Sequence, residues 1–383
     1  MNELIPPPDP LGIPSSQPIF LVLLWLTFVL HVIFMNFVLG GTLILTIQEW
    51  LMGRDSRVGK ASSLMMKVMP VTLSLAITMG VAPLLFVQVL YGQFFYTANI
   101  MLGFIWLSIF LLVMTAFYLL YVLLIRRSNQ TGPNMTSRAI LIINTVIFLC
   151  VAFIFTNNAT LTEHPQEWAA IFSGEANWIS DDISLWPRYL HNVIGAVAVA
   201  GMWMSGIALY RRKYRPSEQD TSYWMYRSGL LWAKGATFLN ILIGFLYLFS
   251  LGMDRIRAMM DGGVMLIGWG ISVIAAFGAL ALMVAAFIKP DKPGIFWGAC
   301  GTLFLTLFGM SMGRDLVRQV SLEMYGNFTL DQLAVRPHFT SLAMFLVTFV
   351  IGLITLAYMV KLIWTIPPKD AESAGSGDGG LLG

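Results

Sequence analysis

The chain has 383 residues, of which 57% are hydrophobic and only 11% charged. A soluble domain carries about 25% charged residues, so a water-soluble enzyme and a nucleic-acid-binding module are both excluded. The net charge of +3 says little by itself, because in a membrane protein the placement of charges matters more than their sum.

Residues 1–17 contain several prolines and no basic cluster, so they read as a short outer N-terminal extension, not a cleavable signal. Apolar runs then recur almost to the C-terminus. They are continuous, not alternating, and backbone in lipid must satisfy itself, so helices are expected and not a barrel. Nine spans are predicted, at roughly 18–49, 70–91, 99–125, 138–157, 188–210, 228–251, 262–288, 294–312 and 339–364. Together they form one membrane domain over 18–365, an all-α polytopic bundle. Residues 366–383 form a low-complexity, disordered cytoplasmic tail.

Lys and Arg in the loops set the orientation. With the N-terminus outside, sixteen fall on the inner side, among them Arg57, Lys60, Arg126, Arg211, Arg212 and Lys289. Six fall outside: Arg188, Arg255, Arg257, Arg314, Arg318 and Arg336. Lys234 lies within a span. The N-terminus is therefore expected outside and the C-terminus inside. The outer loop 158–187 is acidic, and Trp168, Trp178 and Trp186 suit an interfacial cap. Cys150 and Cys300 lie in apolar runs and read as small buried residues. No C-x-x-C-H is present, which excludes covalent haem attachment on this chain.

This topology assigns depth to the rare polar groups. His191 lies one turn inside the outer end of span five. His338 opens span nine, and Met259 and Met260 open span seven, both from the outer side. His31 lies thirteen residues into a first span too long for the bilayer, which lifts it outward. Imidazole and thioether at one level on different helices are what a bundle uses to hold a haem. The arginines at that level, Arg188, Arg255, Arg257, Arg314 and Arg336, suit carboxylates such as haem propionates.

Plainer readings stand beside these. A histidine in a span can simply bond a neighbouring helix, a methionine is usually packing, and an outer arginine can meet lipid phosphate. His164, in the polar loop "TLTEHPQEW", reads as a surface residue. The strings "MGRDS" and "MGRDL" read as coincidence. Metalloprotease, P-loop and serine-nucleophile motifs are absent.

Several segments resemble subunit I of the cytochrome bd quinol oxidases. "HVIFMNFVLGG" places Gly40 nine residues after His31, and "GVAPLLFVQVLYG" keeps the family's spacing from Gly80 to Gly92. "RYLHNVIGAVAVAGMWMSG" resembles the segment bearing an axial histidine of the low-spin haem b. "RIRAMM" resembles the family's Arg-x-Met, and "MGRDL" keeps the Gly-Arg of a longer signature. Nine spans with the N-terminus outside is also the family's topology.

The resemblance implies a bacterial-type inner (cytoplasmic) membrane and haem b bound by His191 and Met259, with Met260 as the alternative partner. Arg257 would stand beside the methionine ligand. His31 would hold the iron of a second, high-spin haem. Quinol, a second membrane subunit, an outer-side cytochrome c and the lipid bilayer are the implied partners. Four departures favour electron transfer over oxygen reduction. Gln88 stands where the family has Glu, and the third span lacks acids. Ser311 replaces a haem-ligating Glu, and the quinol-binding loop is cut to "GMDRIRAMMDG". His338 is a candidate replacement ligand, facing His31 or a methionine such as Met310 or Met312.

Three functions follow from this reading. The first is a haem-b-bearing subunit passing electrons from quinol near the outer face to a second haem or a partner cytochrome. The second is a divergent terminal oxidase. The third is a haem-free transporter or membrane anchor, to which Lys234, Asn240 and Asn144 within spans point.

Overall fold

The computed structural model describes residues 4–53, 55–128, 134–215 and 218–365. The predicted tail at 366–383 lies outside the described residues. Each apolar run closes its own backbone hydrogen bonds as a helix, as lipid requires. The helices are α1 (Gln17–Met52), α2 (Ser56–Leu102), α3 (Phe104–Ser128), α4 (Met135–Glu163), α5 (Trp168–Ser173), α6 (Leu185–Tyr214), α7 (Gln219–Ser250), α8 (Met253–Met259), α9 (Gly263–Ile288), α10 (Pro293–Gly326) and α11 (Phe339–Thr365). Among the described residues, nine of them are long and apolar enough to cross a membrane, which makes this a multi-pass membrane bundle.

Most helices outrun the predicted spans. α2 has 47 residues, about 70 Å at 1.5 Å per residue, against a hydrocarbon core of about 30 Å. Hydropathy sees only a helix's apolar middle, whereas its polar turns continue the hydrogen-bond ladder into the interface. The first turn of α2 is capped by the Asp55 carboxylate, which accepts from the Arg57 backbone N–H at 2.9 Å. α2 also contains Pro70 and Pro83, and its backbone leaves the helical region at Tyr91 (φ −132°, ψ 25°).

Short connections join antiparallel neighbours. One end of the bundle therefore carries the starts of α1, α3, α6, α9 and α11, and the ends of α2, α4, α7 and α10. We call this the N-terminal face. Here the chain before α1 runs alongside the chain before α11. The Ile13 N–H donates to the Ala334 carbonyl at 2.8 Å, and the Arg336 N–H donates to the Ile13 carbonyl at 2.9 Å.

Small residues set the helix crossings, as expected where lipid gives no hydrophobic drive to helix pairing. A Cβ on Gly40 of α1 would overlap the Ala196 carbonyl of α6. A Cβ on Gly229 of α7 would lie 2.6 Å from the Gly201 carbonyl of α6, where the Ser205 hydroxyl also donates to the Tyr226 carbonyl at 3.0 Å. Around these crossings lies a core that includes Phe37, Met65, Met69, Met204, Met225 and Phe296. A second cluster, with Phe20, Phe94, Trp168 and Phe328, packs the N-terminal face.

Three expectations are corrected. Trp168 is not an interfacial anchor but fully buried, its indole N–H bonded to the Leu161 carbonyl at 2.9 Å. Cys150 is exposed, on a helix face where an apolar thiol can meet lipid at no cost, and Cys300 is only half-buried, at the edge of the main core. His164 is also buried, for reasons given below.

Candidate functional site

A group of buried, charged side chains gathers at the N-terminal face. α4 ends there with Glu163 and His164, both about 1% exposed. The Glu163 carboxylate meets Arg188, in the first turn of α6, through two parallel bonds: Nη1 donates to Oε2 at 2.7 Å and Nη2 to Oε1 at 2.8 Å. Fork-to-fork pairing of this kind is among the stronger ionic contacts. It compensates Arg188 within the chain, where the sequence suggested a cofactor carboxylate.

His164 sits beside that pair. Its Nδ1 lies 2.8 Å from the Thr160 carbonyl, and an acceptor carbonyl requires that Nδ1 carry a hydrogen. Its Nε2 lies 3.0 Å from Asp182 Oδ2 and 2.9 Å from Arg255 Nη1. Arg255 in turn donates to Asp182 Oδ2 at 2.8 Å and to the Leu251 carbonyl at 2.6 Å. The Tyr325 ring of α10 covers His164, with ring centroids 5.2 Å apart. Burial alone would push the His164 imidazole down, but the bonded Asp182 carboxylate holds it above the ordinary histidine value. Burial likewise works against Asp182, but His164, the Ser184 N–H and Arg255 hold it well below the usual carboxylate range. Glu167 is pushed up by its burial.

A second buried group lies on α10 and α2. Asp315 Oδ1 accepts from Arg318 Nη1 at 2.9 Å and from the Tyr91 hydroxyl at 3.0 Å, and Gln319 donates to Asp315 Oδ2 at 3.2 Å. A cleft of about 300 Å³ opens beside it, lined in part by Tyr91, Gln319, Glu323 and Phe328.

The histidines predicted in spans lie around these groups. His191 is half-buried on α6, one turn below Arg188, and its ring stacks on Tyr247 of α7 at 6.4 Å. Its Nδ1 is shielded from solvent with no hydrogen-bond partner; the Asn240 carbonyl lies on that side but outside bonding geometry. A Cβ on Gly244 would come within 3.1 Å of the imidazole, so that glycine makes room for the ring. Tyr247 also packs against the buried cluster of Met259, Leu251, Leu316, Val317 and Val320. Thus Tyr247 of α7 contacts the His191 ring of α6 and also packs against the cluster that contains Met259 of α8.

His31 of α1 places Nδ1 2.8 Å from the Ala76 carbonyl of α2. Nδ1 therefore carries the hydrogen and Nε2 the lone pair. Gly80 clears the space, since a Cβ there would meet the ring at 2.9 Å. Arg314 stands near His31, stacks on Phe28 at 4.2 Å, and has no carboxylate bonded to it among the described residues. Trp25, beside it around a void of about 10 Å³, has a buried indole N–H without a partner.

Other predicted site residues are not drawn in. Met260 is 55% exposed. Arg257 is exposed and pairs with Asp254 at 3.6 Å, because it lies on the face of α8 opposite Met259. His338 is exposed and bonds Ser341 at 3.0 Å. Sequence reading missed Glu163, Asp182, Asp315 and Tyr247, and took His164 for a surface residue. The available signals were Glu-His at the end of an apolar run and Asp-x-x-Arg inside another.

No family model matches the chain, and no curated protein matches it by sequence. Among solved structures it is similar to a bd oxidase from Geobacillus thermodenitrificans, with a TM-score of 0.73 and 13% identity over 93% of this chain and 100% of that one. The chain thus shares the fold of a bd oxidase chain.

Proposed function

We propose that this chain is a haem-b-bearing, bd-oxidase-like membrane subunit that carries electrons from a quinol, with its N-terminal face outside. His191 and Met259 are the ligand pair for a low-spin haem b, and His31 is the ligand for a second, high-spin haem. A partner cytochrome on the outer side and a second membrane subunit complete the path.

The observation that carries the reading is the His191 imidazole, whose Nδ1 is shielded from solvent without a hydrogen bond of normal geometry and whose ring stacks on Tyr247, a residue that also packs against the Met259 cluster. A buried polar atom without a partner costs roughly 1–3 kcal/mol, so a partner that fixes the ring and its Nδ1 hydrogen bond would lower a penalty. His31 fits a ligand role in another way. A metal-binding histidine commonly donates its other ring N–H to a carbonyl, and His31 has that arrangement with Ala76.

Bound haem supplies one-electron chemistry, tuned by its axial ligands and surroundings. The chain supplies the rest. α6 and α8 would supply His191 and Met259, the Glu163–Arg188 pair fixes the first turn of α6 above His191, and Gly80 and Gly244 leave space for the imidazoles. Arg314 offers an uncompensated cation beside His31 for an acidic substituent of the haem edge.

The test is pyridine haemochrome analysis of the purified protein together with a His191→Ala variant. The wild type should contain haem b, and the variant should lose the low-spin signal. An unchanged spectrum in the variant, or a wild type without haem, overturns the reading. Carbon monoxide difference spectra and oxygen uptake then separate electron transfer from oxygen reduction, for which Ser311 and Gln88 are unfavourable.

A further inference from the structure

His164 Nε2 faces two partners that it cannot satisfy together. Because Nδ1 is committed to the Thr160 carbonyl, Nε2 is the nitrogen that gains or loses a proton. Protonated, Nε2 can only donate, and its acceptor is Asp182 Oδ2 at 3.0 Å. Neutral, it can only accept, and its donor is Arg255 Nη1 at 2.9 Å. In the first state the Arg255 contact sets hydrogen against hydrogen. In the second the Asp182 contact sets lone pair against lone pair. One proton therefore decides whether the end of α4 is bonded to the 182 segment or to α8.

This choice reaches the proposed ligand. Arg255 and Met259 are the two buried residues of α8 and lie four apart, hence on one face of the helix. Arg255 is tied to His164, Asp182 and the Leu251 carbonyl. Met259 packs one turn along against Leu316, Val317 and Val320 of α10. α8 is only seven residues long, so a shift at Arg255 is carried to Met259.

We propose that His164 is a proton-controlled positioning residue, whose change of partner between Asp182 and Arg255 moves α8 and so sets the placement of Met259. The consequence for the redox centre rests on the ligand reading for Met259; the change of partner itself does not.

The surrounding charges make this a switch and not a fixed contact. Glu163 and Glu167, beside it in sequence, and Asp182 favour the imidazolium; Arg255 opposes it, and Arg188 is neutralised by Glu163. Tyr325 faces the ring from α10, and Tyr247 faces the Asp182–Arg255 pair from α7. Burial keeps bulk water from supplying an alternative partner. No oxidant or reductant is needed, because the proton alone moves onto or off Nε2.

Two measurements test it. In the purified protein with ¹⁵N-labelled histidine, one of four imidazoles, identified by its loss in His164→Gln, should titrate above the ordinary value of about 6.5. It should return toward that value in Asp182→Asn. A resonance that does not titrate between about pH 5.5 and about pH 8.5 overturns the switch. Second, the midpoint potential of the low-spin centre should fall as pH rises in the wild type, and this slope should flatten in His164→Gln. An equal slope in both overturns the link to Met259. A wild type without haem defeats the ligand reading alone, since the imidazole titration is read without it. If His164→Gln does not fold, Asp182→Asn serves for both measurements, because it removes one of the two competing partners.

Discussion

Arg188 and Glu163 form a two-point ion pair, 2.7 and 2.8 Å, closed off from solvent between the end of α4 and the start of α6. Removing one partner of such a pair strands the other charge where neither water nor lipid can solvate it. The expected cost is about 3–5 kcal/mol. Glu163→Gln and Arg188→Ala should each lower the midpoint of thermal unfolding in detergent, followed by size-exclusion chromatography. The double variant should be less damaged than the sum of the two. Additive losses would show that the pair does not act as a unit.

The clamp around His164 makes stability depend on pH in a definite direction. His164, raised above its ordinary value by Asp182, contributes fully below about pH 6.5 and loses that contribution as pH rises through its higher folded value. Asp182, held low, contributes above about pH 3.9 and loses it only in stronger acid. Unfolding temperature should therefore fall from about pH 6 to about pH 8.5. His164→Gln should flatten that profile, and a profile of unchanged steepness would contradict the assignment.

Gly80 and Gly244 are expected to tolerate no side chain without moving an imidazole. A methyl at Gly80 would lie 2.9 Å from the His31 ring, and one at Gly244 would lie 3.1 Å from His191. Gly244→Ala should perturb the low-spin haem spectrum and leave the second haem's signal in place. Gly80→Ala should do the reverse. Absorption spectra of the two variants check this, and identical changes in both would refute separate sites.

Arg257 provides the opposite case. It is exposed and its contact with Asp254 is long, at 3.6 Å. Exposed ion pairs of this kind are worth roughly 0–1 kcal/mol. Arg257→Ala should leave both folding and the low-spin spectrum unchanged. Loss of the spectrum would restore Arg257 to the place beside the methionine ligand that the resemblance implied.

The amino-acid sequence by itself determined the helical class, because twenty-residue apolar runs admit one way to satisfy a backbone in lipid. It also drew attention to His191 and His31 as ligand candidates, since only four histidines are present and these two lie in apolar runs, whereas Met259, one of 23 methionines, was a candidate through its depth and the Arg-x-Met resemblance. Helix lengths were less legible. α2 and α10 continue past their apolar stretches, and hydropathy has no view of a polar turn that is still helical. Only the tertiary structure decided which charges meet. Glu163 lies 25 residues before Arg188, His164 lies 91 before Arg255, and Tyr91 lies 224 before Asp315. Each pair is made by helices packing at one end of the bundle, and no spacing along the chain encodes that meeting. A buried histidine and a surface histidine look alike in a polar loop, and His164 became the first kind because α8, α10 and the 180–184 segment close over it.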